Sequence, residues 1–199
     1  MSSGDPKTRK RILEATWRLM IERDGQGVRM RDVAEAAGVS RQAVYDHFGS
    51  RAELMVATAR YGDEVRGLDE RLVHYRSAVR GVDRLEAFVE FWGNYIPEIH
   101  GIARAMLAAR ETDGAVAAAW DDRMRVVQEA CRDIVGRLRR DGMLAPGWSE
   151  EEAGELLWAI LSIGNWENLT LERGWSVDLY VKSMQELAKR AFVREPKRA

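Results

Sequence analysis

The sequence predicts an all-α protein, and three observations support this fold class. Apolar residues recur at steps of three and four along most of the 199 residues. Only 4 prolines and few β-branched runs interrupt that spacing. Glycines and short polar clusters divide the chain into segments of helical length. We therefore predict about nine helices, with a three-helix domain in residues 1–52 and a larger helical domain in residues 53–199.

The first helix is predicted to begin at Lys7 and to end near Gly25. Its apolar positions repeat on one face, which would brace the two helices that follow. Trp17 lies beside that face and is predicted to pack rather than to contact a ligand. The residues of the face are Ile12, Leu13, Thr16, Leu19 and Met20.

The segment Met30–Arg51 predicts two short helices joined by a tight turn. Gly38 follows the first helix, where the chain needs a positive φ, and Ser40 can cap the second, which begins at about Gln42. Two helices held at a steep angle by a three-residue turn form a helix-turn-helix, whose second helix can enter the major groove of DNA. The residues at inward-facing spacing are Val33, Ala34, Ala37, Val44 and Phe48.

The outward face of the second helix is rich in hydrogen-bond donors. The Arg41 fork matches guanine edges and the Gln42 amide matches adenine, whereas Tyr45 and His47 can reach phosphates. A polar, solvated face on an ordinary helix pair is the alternative. The predicted DNA-binding residues are Arg31, Ser40, Arg41, Gln42, Ala43, Tyr45, His47 and Arg51.

The run from Thr8 to Leu54 resembles the DNA-binding domain of the TetR family of bacterial transcription regulators. This resemblance implies a homodimeric repressor that binds a near-palindromic double-stranded DNA operator and whose second domain binds a small-molecule effector. The matching elements are the basic start before Ile12–Ala15, then Arg31–Ala34 (RDVA), Ala37–Ser40 (AGVS), Val44–Phe48 (VYDHF) and the pair Ser50-Arg51.

The chain departs from the usual family pattern in three places. Val28 and Arg29 stand where a capping Thr or Ser is common, and the missing cap costs about 1 kcal/mol if nothing else satisfies the helix N–H groups. Gln42 replaces a small residue, and Gly49 replaces a frequent Pro. None of these changes removes the motif, but Gln42 makes the operators of other family members a poor guide.

Six further helices are predicted after Gly49, with a bend at Gly62 or Gly67 in the first of them. They comprise one from Ser50 with an apolar stripe reaching Val79, one from Gly81, a new short one from about Pro97 to Ala109, one from Gly114 to Asp141, one from Ser149 to Leu171 and one after Gly174.

The helix from Ser149 to Leu171 carries more apolar surface than one core needs. Ser162 and Gly164 allow close helix approach, so two copies of this helix and of the last helix are predicted to form a four-helix bundle in a homodimer. Ile160, Ile163 and Trp166 are expected in or beside that bundle.

Large aromatic and Met side chains of the second domain, with a few amides, suit a largely apolar effector. Ordinary core packing is the alternative for each of them. The helix beginning at Ser50 would connect this pocket to the helix-turn-helix. The predicted effector-binding residues are Tyr61, Trp92, Tyr95, Met106, Trp120, Met124, Asn165 and Trp166.

Composition narrows the remaining classes of function. The sequence has 46% hydrophobic and 32% charged residues and a net charge of -1, which excludes a uniformly basic nucleic-acid coat. Cys131 is the only cysteine, so disulfides and paired-thiolate zinc sites are excluded. The longest apolar run is far shorter than the ~20 residues that span a bilayer, so we expect a cytoplasmic protein without a membrane partner.

No phosphate-binding loop, nucleophile elbow or metal-binding pair occurs, and His47, His74 and His100 are scattered. We therefore expect no enzymatic activity, no metal and no cofactor. Two alternatives stay open from the sequence. One is a helical ligand-binding or enzymatic protein whose N-terminal hairpin is structural, and the other is a regulator controlled by a partner protein.

Overall fold

A computed structural model describes residues 5–194, and these residues form eleven α-helices, one π-helical turn at Asn168–Glu172 and an isolated β-bridge between Leu144 and Val193. The predicted all-α class is confirmed, and three of the helices have only four or five residues. The helices are α1 Pro6–Glu22, α2 Met30–Ala37, α3 Arg41–Phe48, α4 Arg51–Val65, α5 Leu68–Arg71, α6 Val73–Ser77, α7 Gly81–Ala109, α8 Gly114–Arg140, α9 Glu150–Ile160, α10 Ile163–Glu167 and α11 Val177–Phe192.

The described residues divide into two compact units. Unit 1 contains the residues up to Leu68 together with Glu98–Arg123, and unit 2 contains Asp69–Pro97 and the residues from Met124 onward. Unit 1 therefore includes the whole helix-turn-helix, the C-terminal part of α7 and the N-terminal part of α8. The predicted domain boundary between residues 52 and 53 stays a prediction.

The core of unit 1 forms around α1, which packs on α2 and α4. Asp5 caps α1 by accepting from the Lys7 N–H at 3.1 Å, and Pro6 occupies the first helical position, where its missing N–H is harmless. The predicted inward face of α1 is buried, with Ile12 fully inaccessible to solvent. This packing fixes α1 as the brace on which the helix-turn-helix rests.

The end of α1 approaches the α7 segment of unit 1 very closely. Gly25 has φ +73, and a Cβ there would lie 2.9 Å from the Ala105 nitrogen. A Cβ on Gly101 would lie 2.8 Å from the Met20 carbonyl carbon. Only glycines fit at these two positions, because the backbones themselves are in contact.

Asp24 joins the same two segments through its carboxylate. His100 Nδ1 lies 2.8 Å from Asp24 Oδ1, and Arg104 forms an ion pair with the other carboxylate oxygen. Asp24 itself has φ +49, a left-handed conformation that Asp tolerates better than most residues. The turn that leads into α2 is thus held on α7 by charge as well as by backbone packing.

Unit 2 is held together by long apolar helices and a few specific polar contacts. The Trp92 indole Nε1 donates to the Leu161 carbonyl at 2.8 Å, where both residues are buried. Lys189 pairs with Glu86 at 2.7 Å and fixes α11 beside α7. Cys131 is fully buried, and burial raises the pKa of its thiol to about 12.

The predicted apolar stripe from Ser50 to Val79 is wrong beyond α4. That helix ends at Val65 because the chain turns at Gly67, whose φ is +59. Val65 and Val79 are 62% and 76% exposed, so neither belongs to a buried stripe. The sequence predicts a bend at Gly62 or Gly67, but the helix ends before Gly67 instead of bending.

The separate helix predicted from Pro97 to Ala109 is wrong, because α7 continues through Pro97. Pro97 is exposed, whereas Ile96 and Ile99 on either side are buried. A proline removes one helical hydrogen bond. Burial of Ile96 and Ile99 stabilises the helix on both sides of Pro97 despite the missing hydrogen bond.

The single helix predicted from Ser149 to Leu171 is wrong as well. It ends at Ile160, and Ser162 caps α10 by accepting from the Asn165 N–H at 3.4 Å. The Asn165 amide donates to the Ala159 carbonyl at 3.0 Å and to the Ile160 carbonyl at 3.3 Å, where α9 ends. The predicted capping box of Ser149 and Glu152 at the start of α9 is present.

Candidate DNA-binding surface and effector cleft

The turn between α2 and α3 has the predicted helix-turn-helix geometry. Gly38 has φ +63, and the following Val39 N–H donates to the Ala34 carbonyl at 3.0 Å. The Ser40 hydroxyl accepts from the Ala43 N–H at 3.1 Å, so α3 begins at Arg41. Val44 and Phe48 are buried, and this leaves the opposite face of α3 toward solvent.

The N-terminus of α2 lacks a side-chain cap, as the departure at Arg29 predicts. Asp32 compensates in part, because its carboxylate accepts from the Arg29 N–H at 3.3 Å. Arg23 donates to the same carboxylate at 2.7 Å, and this hydrogen bond holds the pKa of Asp32 below its ordinary value. The start of α2 is thus fixed by an acid in its first turn.

The predicted DNA-binding residues of α3 lie on its accessible face. Arg41 and Gln42 are exposed, while Ala43, Tyr45 and His47 are half-buried. Ser40 is exposed at the start of the helix, where it is occupied as the cap. The assignment of bases or phosphates to these residues stays a prediction.

The two remaining predicted residues lie outside α3. Arg31 is exposed on α2 with its Nε 3.3 Å from Asp32. Arg51 starts α4 and donates through Nε to the Val28 carbonyl at 3.2 Å. Arg51 therefore also ties α4 to the loop before α2.

Two pairs of side chains run along the exposed face of α3, each spanning one helical turn. Arg41 Nη2 donates to the Tyr45 hydroxyl at 3.4 Å, and the guanidinium lies 5.5 Å from the tyrosine ring centre. Gln42 Nε2 donates to Asp46 Oδ1 at 2.8 Å. Both side chains predicted to read bases are therefore already oriented by a neighbour.

The basic start of α1 lies beside the helix-turn-helix. The Arg9 guanidinium lies 5.0 Å from the ring centre of Phe48, and Arg11 Nη2 donates to the Gly38 carbonyl at 3.4 Å. Sequence reasoning noted this basic cluster but did not include it among the DNA-binding residues. These contacts place positive charge beside the turn before α3 and beside the end of α3.

Unit 1 also contains a cleft of about 800 Å³. Tyr61 and Met106, two of the predicted effector-binding residues, line it. The Tyr61 hydroxyl donates to Glu14 at 3.0 Å, and burial raises the pKa of Tyr61 to about 12. The lining comes from α1, α4, α7 and α8 and includes Arg9, Leu13, Val56, Ala57, Arg60, Glu64, Ala115, Ala119 and Arg123.

The other predicted effector-binding residues do not line this cleft. Trp120 is buried elsewhere in unit 1. In unit 2, Trp92 and Tyr95 are buried with ring centres 6.4 Å apart. The remaining three belong to unit 2, where Met124 is half-buried, Asn165 bonds to the end of α9 and Trp166 is buried. A role for these six in effector binding stays a prediction.

Two other kinds of feature are absent from residues 5–194. No group of three His, Cys, Asp or Glu side chains in this range is arranged to hold a metal ion. Every helix in the same range is too short or too polar to traverse a lipid bilayer.

The fold and the exposed face of α3 define a helix-turn-helix protein with an additional helical unit. The family model of bacterial regulatory proteins of the tetR family matches residues 12–58. An uncharacterized HTH-type transcriptional regulator, MT1294 of Mycobacterium tuberculosis strain CDC 1551, is 30% identical over 160 residues, covering 71% of this chain and 77% of that protein. The chain belongs to the TetR family of helix-turn-helix transcriptional regulators.

Other known proteins are similar to parts of this chain or to its fold. The transcriptional repressor AcnR of Corynebacterium glutamicum is 39% identical over 62 residues, which cover 30% of this chain and 33% of AcnR. Two further regulators match over 49 and 46 residues, and the chain spans less than a quarter of the length of each. A transcriptional regulator from Saccharomonospora viridis, solved in complex with choline, has the same fold with a TM-score of 0.83 and 19% identity, covering 96% of this chain and 100% of that one.

Proposed function

We propose that this protein is a homodimeric repressor that binds a near-palindromic operator and is released by a small, largely apolar effector. The exposed face of α3 carries this proposal, because it presents Arg41 and Gln42 outward while Val44 and Phe48 are buried. The transcriptional repressor AcnR, a relative over 62 residues, supports repression as the mode of regulation. Enzymatic activity is not part of the proposal, since TetR-type regulators are generally not enzymes.

Arg41 and Gln42 read base edges in this proposal, because they combine the start of the recognition helix with bidentate geometry. Arg31, Tyr45, His47 and Arg51 hold phosphates, and Ser40 and Ala43 fix the start of the helix against the DNA backbone. The basic start of α1 adds phosphate contacts through Arg9 or Arg11. Half-sites would lie about one DNA turn, or a small multiple of it, apart.

The test is selection from a random duplex pool, followed by fluorescence anisotropy on the selected operator at low and high salt. Gln42→Ala should change the preferred base at one position of each half-site. Tyr45→Phe should weaken binding to every selected duplex about equally. If the wild-type protein binds no duplex at low salt and without effector, the helix-turn-helix is structural and the proposal fails.

Dimerisation would use the exposed apolar residues of α9 and α11. Leu156, Leu179 and Leu187 are 39%, 46% and 46% exposed, more than a core residue would be. Two copies of α9 and α11 would bury them in a four-helix bundle. Ile163 is only 6% exposed, so a charge at that position would test the core of unit 2 before it tested the dimer.

The cleft in unit 1 offers a route from effector to DNA. Val56, Ala57 and Tyr61 of α4 line it, and the same helix begins at Arg51, directly after the helix-turn-helix. Arg123 of α8 donates to the Ala59 carbonyl at 3.3 Å and forms an ion pair with Asp63, so α4 and α8 enclose the cleft together. An effector that separates these helices would displace α4 and with it α3.

The energy that this release requires is modest. Moving the two recognition helices away from a spacing of about 34 Å prevents both half-sites from being engaged together. A hundredfold loss of operator affinity needs about 2.7 kcal/mol of effector preference for the released state. Because linkage is reciprocal, operator DNA would weaken effector binding by the same factor.

A further inference from the structure

Asp46 is an acidic residue on the surface that is proposed to meet DNA. It is exposed on α3, and within the described residues its carboxylate has no ion-pair partner. An unpaired negative charge on such a surface repels phosphates, so it lowers affinity for every DNA sequence. The Asp46 carboxylate accepts a hydrogen bond from Gln42 Nε2, with 2.8 Å between Nε2 and Oδ1.

This hydrogen bond fixes which way the Gln42 amide faces. An ionised carboxylate can only accept, so the amide nitrogen and not the oxygen must lie against it. One of the two Nε2 hydrogens is used by Asp46. The second hydrogen and Oε1 remain as a donor and acceptor pair, which matches N7 and N6 of adenine.

Without Asp46, the amide could rotate about its terminal torsion. That torsion is broad and roughly two-fold, so donor and acceptor would exchange places at little energetic cost. The exchanged amide would favour a different base edge, and the two orientations together would give weak preference. Asp46, one helical turn away, therefore selects one of the two orientations of the Gln42 amide.

We propose that Asp46 is a positioning residue that sets base preference by orienting Gln42, at the expense of overall DNA affinity. This inference rests on the proposed function, in which α3 enters the major groove. It adds a residue that was not among the predicted DNA-binding set. It also gives that residue a signature that a phosphate or base contact would not have, because removing it lowers specificity and raises affinity.

The experiment compares four variants by selection from random duplexes and by anisotropy on single-base operator variants: Asp46→Ala, Asp46→Asn, Gln42→Ala and the double variant Gln42→Ala with Asp46→Ala. Asp46→Ala should reduce preference by about tenfold at the base pair where Gln42→Ala also reduces it. It should bind unrelated duplexes several-fold more tightly at low salt. The double variant should have no less preference than Gln42→Ala alone, because Asp46 acts only through Gln42.

Asp46→Asn separates orientation from charge. Its Oδ1 can still accept from Gln42 while the negative charge is gone, so base preference should persist and non-specific affinity should still rise. Glu22→Ala removes an exposed carboxylate of α1 and controls for net charge alone. Circular dichroism melts establish that each variant is folded.

Three results would overturn the inference while leaving the proposed function intact. Asp46→Ala could leave base preference unchanged, could alter a different base pair from Gln42→Ala, or could add its loss to that of Gln42→Ala. Each would mean that Asp46 does not work through Gln42. Failure of the wild-type protein to select any duplex would overturn the proposed function and this inference together.

Discussion

Gly25 and Gly101 meet where the end of α1 packs on α7, and a Cβ on Gly25 would overlap the carbonyl oxygen of Gly101. The contact places the loop before α2 directly on a helix that also lines the cleft through Met106. Asp24, His100 and Arg104 surround the same contact with charge. Unit 1 therefore has a second connection between the cleft and the helix-turn-helix, independent of α4.

Gly101→Ala should destabilise the fold by about 1–3 kcal/mol, the usual range for overpacking. The added methyl group would press on the Met20 carbonyl, which belongs to backbone and cannot rotate away. Urea denaturation measures the effect. Gly114→Ala is the matched control, since nothing lies within 4 Å of its Cβ position. Equal stability of the two variants would show that α1 and α7 separate easily.

Ser40→Ala should reduce stability by about 1 kcal/mol through loss of the α3 cap. Ser176→Ala should reduce it equally, because Ser176 accepts from the Leu179 N–H at 3.1 Å in the same geometry. Only the Ser40 variant should also weaken operator binding, since α3 is proposed to contact DNA and α11 is not. Thermal melts and anisotropy on both variants check this. A similar loss of DNA binding in the Ser176 variant would contradict it.

Leu187→Glu should convert the proposed homodimer to monomer, because it would place two charges in the proposed apolar bundle of α9 and α11. Sedimentation velocity at micromolar concentration measures the change. Val79→Glu is the control, as Val79 is 76% exposed in unit 2 and lies outside both helices. A dimer that tolerates Leu187→Glu would require a different interface. A wild-type monomer would remove the homodimer from the proposal altogether.

Trp92→Phe should lower the free energy of unfolding by about 1–3 kcal/mol, because the buried Leu161 carbonyl would lose its donor. Trp175→Phe is the control, since Trp175 is half-exposed and should stay within about 0.5 kcal/mol of wild type. Denaturation curves of both variants measure these free energies of unfolding. A stable Trp92→Phe variant with altered effector response would instead favour an effector-binding role for Trp92.

The start of α2 should lose stability in acid. The pKa of Asp32 in the folded protein lies below its ordinary value of 3.8, so its contribution is present above pH 3.8 and is lost as the pH falls through the lower folded value. Asp32→Asn should therefore be less stable than wild type at pH 7, and the difference should shrink below pH 3.8. Urea denaturation across this range tests the prediction. If the stability difference between the variant and wild type did not change with pH, the Asp32 charge would contribute nothing to stability.

The helix-turn-helix was predictable from sequence because its signals are local. Gly38 and Ser40 act within a few residues of their own positions, and Val44 and Phe48 share one helical face. Pro97 and Ser162 show where such reasoning fails. Whether a proline interrupts a helix depends on how its neighbours are buried. Whether a serine within an apolar segment ends one helix and caps the next depends on contacts that only the fold creates.

The candidate site likewise contains features that local sequence signals predict and others that depend on the whole fold. Local spacing identified the exposed face of α3, but not the contact between Gln42 and Asp46, because a pair of that spacing is common on any helix. Tyr61 and Met106 are 45 positions apart in sequence, and only the fold brings them to the lining of one cleft, from α4 and α7. Aromatic content alone did not separate these lining residues from core residues such as Trp120.

The burial of Cys131 has a practical use. The thiolate is the reactive form of cysteine, and a thiol with a pKa of about 12 that solvent does not reach should not react with maleimides at neutral pH. A cysteine introduced at an exposed position of α3, such as Gln42→Cys, would then be the one site that takes a fluorophore or spin label. Two labels in a dimer would report the distance between recognition helices directly, with and without effector, in an otherwise native protein.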